Sequence, residues 1–471
     1  MATRAASPAG SVNIGFIAAI VAVATIGGLL FGYDSGAVNG TQDGLRAAFD
    51  LSDASLGFTV GSLLIGCFIG AFLAGRFADL FGRRNVMMLA AALFLAGAIV
   101  QGLAHDHTLF VVARLCGGMA VGTASVLSPA YIAEVAPANI RGRMTTIQQI
   151  MIITGLTLAF IVNYFLAAAA GKSTNIFWGG IEAWRWMYLC QALPAAVFLV
   201  ALFFIPESPR FLVARRREGE ASAVLARLFG ATVAEAKLAE IRASFSTDHR
   251  PRLADVLAPG TGLRPIVWAG LVIAVFQQLV GINVIFYYGE TLWKLAGASE
   301  DTALQRNIIS GLVSIAACFV TIGLVDRIGR KPLLLIGSAG MAIALFVMVY
   351  AFHSGTLDAA GQLQLSVGNG TLAVVAANIY VIFFNASWGP IMWVMLGEMF
   401  PNQLRGSALA VCGFAQWFAN YLIAQSFPVM AAKLGLTATY TFYAVAAAVS
   451  FFLVQRFIVE TKGRELEEMV G

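Results

Sequence analysis

The chain has 471 residues, 59% of them hydrophobic and only 12% charged, with a formal net charge of +5 and a mean hydropathy of +0.80. Water-soluble globules carry about 25% charged residues, so this composition excludes a soluble enzyme or binding module. It points to a polytopic membrane protein.

A helix needs about 20 apolar residues to cross a bilayer. Twelve runs meet that condition: 14–38, 56–75, 85–104, 108–134, 144–168, 185–205, 265–288, 307–325, 332–352, 372–397, 405–430 and 437–458. The first run is too long for a signal-peptide core. Its leader MATRAASPAG has one arginine and no cleavage-like context, so it is read as a retained span. Within it, GGLLFGYDSG (27–36) places Asp34 among apolar residues. A charge at the bilayer centre costs from ~2.5 to 3.5 kcal/mol, so such a residue is a functional candidate by default.

The bases set the expected orientation. Arg76, Arg83, Arg84, Arg141, Arg143, Arg215, Arg216, Arg217, Arg327, Arg330, Lys331, Arg405, Lys462 and Arg464 fall at one side of the spans. Arg46, Lys172, Lys294, Arg306 and Lys433 fall at the other, beside Asp43, Asp50, Asp53 and Asp301. The basic side is expected to be cytoplasmic, with both termini there. This bias accounts for the net charge, and no nucleic-acid partner is expected. Cys67, Cys116, Cys190, Cys318 and Cys412 lie within spans at unrelated spacings and read as free thiols. His105, His107, His249 and His353 show no ligand spacing, so no metal and no cofactor is expected.

One long polar segment, Pro206 to Gly262, separates six spans from six. Its apolar residues recur at three- and four-residue spacing, which predicts short amphipathic helices on the cytoplasmic face. The expected division is 1–205 for the first six-helix half, 206–263 for the linker, 264–458 for the second half and 459–471 for a short tail. The halves repeat each other: GRFADLFGRR (75–84) matches GLVDRIGRKP (323–332), and YIAEVAPANIRGR (131–143) matches MLGEMFPNQLRG (395–406). Repeated halves with a ligand site at their interface are a usual build of secondary transporters. The duplicated charges Asp79, Arg83, Glu134, Arg141 and Arg143, with Asp326, Arg330, Glu398 and Arg405, suggest pairs that hold the cytoplasmic end closed.

These motifs, with PESPR (206–210), QQLVGIN (277–283), SWGPIMW (387–393), AQWFANY (415–421) and VETKG (459–463), resemble the sugar porter family of the major facilitator superfamily. The family includes bacterial sugar/proton symporters and mammalian facilitative glucose transporters. The resemblance covers essentially the whole chain and implies an all-α membrane fold, twelve helices in two pseudo-symmetric halves. It implies a transporter and not an enzyme, working as a monomer in a bacterial inner membrane. By the same resemblance Glu207 and Arg210 join the gating charges, and Gln149, Gln277, Gln278, Asn283, Trp393 and Gln416 bind a monosaccharide. Phe31, Leu156, Phe286, Tyr287, Asn385, Gly389, Trp417 and Asn420 line the site. The residue types suit a sugar, because amides donate and accept without adding charge and Trp offers an apolar face to C–H groups.

Departures from the family pattern refine the expectation. Ser314 stands where an asparagine is common, Asn385 where the mammalian facilitators have glutamate, and VETKG lacks the usual proline. Bacterial xylose porters place glutamine and leucine where this chain has Leu156 and Phe286, whereas glucose carriers place an apolar residue and phenylalanine; D-glucose or a close hexose is expected. Proton-coupled members resemble this chain in having an aspartate in the first span and an arginine in the fourth, here Asp34 and Arg114. Their separation would let a proton on; the alternative is a permanent ion pair that only fixes packing. Many bacterial relatives also carry a glutamate where this chain has Gln191. The expected function is proton-coupled monosaccharide import by alternating access, with passive facilitation or pentose symport as alternatives.

Overall fold

The structure is a computed structural model that describes residues 12–247, 256–258, 262–357 and 363–462; within these, the side chains of 138–146, 244–247, 322, 326, 402, 403 and 405 lie outside the described set. Six crossings of the first half are α1 (Ile14–Ala37), α3 (Asp53–Phe81), α4 (Arg83–Leu103), α5 (His107–Val135), α6 (Ala138–Ala170) and the pair α7 (Ala183–Leu189) and α8 (Ala192–Leu202). A short α2 (Gln42–Phe49) follows α1. Three helices, α9 (Pro209–Ala214), α10 (Glu218–Phe229) and α11 (Ala231–Thr247), occupy the polar segment.

The second half comprises α12 (Pro265–Leu279) continued by α13 (Ile282–Leu295), α14 (Glu300–Ile328), α15 (Arg330–His353), α16 (Val367–Asn385) continued by α17 (Trp388–Met399), and α18 (Asn402–Phe457). Among the described residues eleven helices are long and apolar enough to cross a membrane. One of them, α18, is 56 residues long and turns at Gly435 (φ 76°, ψ 167°), so it supplies two crossings. That reconciles eleven helices with the twelve spans expected from the sequence.

Small residues let the helices approach to backbone contact, the packing device available when lipid is as apolar as the core. A Cβ on Gly32 of α1 would lie 1.7 Å from the Ile152 carbonyl oxygen of α6, and one on Gly155 of α6 would lie 2.0 Å from that of Leu29. Between α3 and α5, Gly66, Gly70, Gly118 and Gly122 each face a carbonyl oxygen of the other helix. Because the obstacle at Gly32 is backbone, Gly32→Val is expected to destabilise at or above the ~3 kcal/mol upper end of ordinary overpacking. Loss of the monodisperse peak in detergent size-exclusion checks this; a wild-type profile contradicts it.

Three crossings are interrupted within their length. Gly281, in the left-handed region (φ 84°, ψ 19°), separates α12 from α13, and a Cβ there would strike the Tyr443 ring. Ala386 and Ser387 separate α16 from α17. Cys190 and Gln191 separate α7 from α8.

Candidate functional site

The break at Gly281 places Gln277 and Gln278 on one side and Asn283 on the other. Their amides form an unbroken chain with α18. Gln416 Nε2 donates to Gln277 Oε1 (3.3 Å), Gln278 Nε2 donates to the same oxygen (2.9 Å), and Asn283 Nδ2 donates to Gln278 Oε1 (2.6 Å) and Asn420 Oδ1 (2.9 Å). Asn420 Nδ2 then donates to the Tyr287 hydroxyl (3.2 Å). Gln277 Nε2 also faces the carbonyls of Trp388 and Gly389 at 3.5 Å, the residues that open α17. Six residues assigned to binding or lining from the sequence, Tyr287 among them, thus form one polar ribbon.

The ribbon meets the first half. Tyr287 reaches α1, where Ser35 and Asp34 are its neighbours. Phe31 of α1 packs edge-on against Trp417 of α18 at 5.4 Å between centroids. Among the described residues, the side chains of Trp393, Gln149 and Asn385 share no hydrogen bond with the ribbon. Trp393 is 41% exposed. Gln149 is half-buried, whereas its neighbour Gln148 is buried against Gly28 of α1 with neither amide atom hydrogen-bonded. Asn385 bonds back to the Val381 carbonyl of its own helix (3.1 Å), and Ser314 to Ser310 (2.7 Å). Leu156 and Phe286 are both buried.

Asp34 lies 3.7 Å from Arg114 Nη2, and both side chains are about 1% exposed. The two partners are held unequally. Arg114 Nε donates to the Thr59 carbonyl (3.0 Å), Nη2 to that of Val60 (3.2 Å) and Nη1 to Gln101 Oε1 (3.4 Å), so α3 and α4 fix the guanidinium without the acid. Neither Asp34 oxygen accepts a hydrogen bond, and the neighbouring Gln191 amide is likewise unpaired. The guanidinium is thus held by three hydrogen bonds besides the ion pair, the carboxyl by the ion pair alone.

At the basic end, the duplicated motifs build one arrangement twice. Glu207 Oε1 accepts from the Arg83 and Arg84 amides opening α4 (2.9 and 3.2 Å), and Glu460 accepts from the Arg330 and Lys331 amides opening α15 (3.0 and 2.9 Å). The preceding glycines, Gly82 and Gly329, have φ of 97° and 101°. Arg83 pairs with Glu134 (3.3 Å) and Asp79 (3.0 Å), and Arg330 pairs with Glu398 (2.8 Å). Ser208 donates to Glu134, and Thr461 to Glu398 (2.6 Å). PESPR and VETKG are therefore structural equivalents; Glu460 joins the expected charges, and the Ser208 and Thr461 hydroxyls bond to them. These pairs run within each repeat; Arg210 lies near Glu134, while the side chains of Arg141, Arg143, Asp326 and Arg405 lie outside the described residues. VETKG loses no helix end for lack of proline, since α18 stops at Phe457.

Burial alone would raise the Glu460 carboxyl, but the amides of Lys462, Arg330, Lys331 and Thr461 outweigh it and hold it below the usual carboxylate range. Such a cap contributes stability above the unfolded value, about 4.3, and loses it as pH falls through the folded one. Glu460→Gln is thus expected to lower the thermal midpoint at pH 7, with the difference shrinking below about pH 4. A difference of the same size at acid pH would contradict a charged cap.

At the opposite end the halves also touch directly. Gly57 and Gly61 of α3 lie against Gln425 and Tyr421 of α18. Asn39, just beyond α1, donates to the Phe286 carbonyl (2.8 Å) and accepts from the Glu290 amide (3.0 Å) and Asn307 Nδ2 (2.7 Å). Gln42 Nε2 donates to the Tyr287 carbonyl (2.6 Å). These contacts dock the outer part of α13, bent at Tyr288 (φ −118°, ψ 18°), onto the first half. Sequence reasoning missed them because the partners lie some 250 positions apart.

A family model described as "Sugar (and other) transporter" matches residues 20–470. The chain belongs to this sugar transporter family. The chain is 44% identical to the glucose transport protein of Synechocystis over 97% of each chain. It is 38% identical to the D-xylose-proton symporter of Escherichia coli K12, over 97% of this chain and 96% of that one. The arabinose-proton symporter of Bacillus subtilis is 34% identical, over 97% and 95%. Among solved structures, the inward open conformation of the E. coli xylose transporter XylE superposes with a TM-score of 0.82 at 35% identity, covering 96% of this chain and 99% of that one. XylE bound to 6-bromo-6-deoxy-D-glucose gives 0.78 at 37% identity, over 97% and 99%. These neighbours share the twelve-helix major facilitator fold, which is the fold of this transporter.

Proposed function

We propose that the transporter imports a monosaccharide, D-glucose or a close hexose, together with a proton, by alternating exposure of one site to the two faces of a bacterial inner membrane. The basic end faces the cytoplasm. Residues 1–205 and 264–458 rock against each other, 206–263 links them, and 459–471 is a tail. The observation that carries this reading is the ribbon from Gln416 to Tyr287 ending beside the Asp34–Arg114 pair. A ring of sugar hydroxyls can exchange with amide–amide hydrogen bonds at little net cost, while leaving a buried hydroxyl unpaired costs about 1 to 3 kcal/mol. Gln149 and Trp393, which the ribbon does not engage, are free to close on the sugar from the two halves.

The names of the relatives support the substrate class and the coupled ion: glucose in one, xylose with a proton and arabinose with a proton in others. Pentose transport is the second reading, favoured by the E. coli relative. Leu156 and Phe286 argue for the hexose, since a larger apolar lining suits the hydroxymethyl group that xylose lacks; one such contact discriminates by ~1 to 3 kcal/mol. Competition of labelled glucose uptake by hexoses and pentoses tests the assignment, with glucose expected to compete at least tenfold better than xylose. Leu156→Gln with Phe286→Leu is expected to shift the ratio toward xylose, and an unchanged ratio removes the lining argument. Failure of any monosaccharide to compete contradicts the substrate class.

A further inference from the structure

Where the halves meet at the end opposite the basic loops, four charged groups converge. Carboxylate oxygens of Asp43 (α2), Glu290 (α13) and Glu300 (α14) lie within 4.8 Å of one another. Lys294 of α13 pairs with Asp43 and lies 3.5 Å from Glu290 Oε1. Glu290 is 2% exposed, and its Oε2 has no hydrogen-bond partner. The Glu300 carboxylate accepts from the Ser173 amide of the first half (2.8 Å). Among the described residues, these are the charged groups facing Glu290 from α2, α13 and α14; Arg46 is paired with Asp53 and Arg306 lies over Trp293.

Three carboxylates and one ammonium leave an excess negative charge around the buried Glu290, while Asp43 and Lys294 stay part-exposed (38% and 28%). Like charges this close disfavour joint ionisation, which favours a proton held within the cluster, and Glu290 is its least exposed member and has an unpaired oxygen. Lys294 already supplies the cation, so a metal ion is not required. Asp43 and Ser173 belong to the first half, and Glu290, Lys294 and Glu300 to the second. Opening this end takes Asp43 away from the other three and admits water, which removes the reason for holding the proton. We propose that Asp43, Glu290, Lys294 and Glu300 form a proton-binding latch, with Glu290 as the proton carrier, that locks the outer end shut when protonated. The latch rests on the alternation proposed above but not on Asp34. By linkage, raising pH favours the open end, and one proton changes the open-to-closed ratio by at most tenfold per pH unit.

The test uses the full chain in lipid vesicles, with its five cysteines replaced by serine and nitroxides at exposed Ala48 and Leu434, on opposite halves at this end. Asp34→Asn is included throughout, so that the coupled proton makes no contribution. Electron–electron distances are measured from pH 5 to pH 9. The open fraction is expected to rise with pH, and Glu290→Gln, which resembles the protonated acid, is expected to hold this end closed at every pH. Lys294→Gln removes the cation that favours the ionised acid and is expected to move the midpoint to higher pH. Opening with the same pH dependence in Glu290→Gln, or opening by sugar with no pH dependence while Glu290 is present, overturns the latch and leaves alternation standing. A single closed distance at all pH values, with and without sugar, overturns both.

Discussion

Asp34→Asn is expected to abolish uphill sugar accumulation while leaving sugar binding and downhill exchange in place. Asparagine resembles the permanently protonated acid, so the pair with Arg114 can no longer take up and release a proton. The variant is expected to fold, because Arg114 keeps its bonds to Thr59, Val60 and Gln101. The effect is large. One proton entering at about 100 mV supplies ~2.3 kcal/mol, and one pH unit adds ~1.36 kcal/mol. Together these sustain roughly a 500-fold sugar gradient, which the variant loses. Arg114 matters too: without it Asp34 loses the cation 3.7 Å away, its one ionic partner among the described residues. Matched liposomes carrying wild type or Asp34→Asn, under an inward proton gradient, check this, and equal accumulation in both contradicts the role of Asp34.

Gln278→Ala and Asn283→Ala are each expected to weaken sugar binding by ~1 kcal/mol or more, about fivefold. Gln278 bonds both Gln277 and Asn283, and Asn283 bonds both Gln278 and Asn420, so each truncation opens the ribbon in its middle. Asn283→Ala is expected to cost more, since it also removes the Asn283–Asn420 bond between α13 and α18. Equilibrium binding by the purified protein measures both. Unchanged affinity in the two variants removes the ribbon from the sugar site.

The spans were legible because a long apolar run has few alternatives in a chain this poor in charge. The pairing of the halves was legible from the arginine motifs after the second and eighth spans. Breaks inside spans were not. Apolar run length reports that a segment is buried in lipid, not that its helix stops at Gly281 or at Ser387, where neighbouring helices satisfy the freed backbone. The likeness of PESPR to VETKG was hidden because only the glutamate recurs; Ser208 and Thr461 share a hydroxyl but not a residue type. The amides Gln277, Gln278, Asn283, Gln416 and Asn420 were read through family resemblance, and their mutual bonding became visible only when α12, α13 and α18 were placed together. Asp43 and Lys294 were read as charges at the less basic side and Glu290 was not singled out, since spacing carries no information about partners from opposite halves. That Gln148, beside the assigned Gln149, packs against Gly28 depends on the rotation of α6 about its axis, which adjacent identical residues do not encode.

The claim that sugar and proton enter together is tested most directly by sugar-driven proton movement. Vesicles containing the transporter and an internal pH-sensitive dye are held at equal pH on both sides, and D-glucose is added outside. The account predicts internal acidification in wild type, none with Asp34→Asn, and little with a sugar that does not compete for uptake. Glucose entry at an undiminished rate with no internal acidification in wild type would contradict it, and the protein would be a passive facilitator.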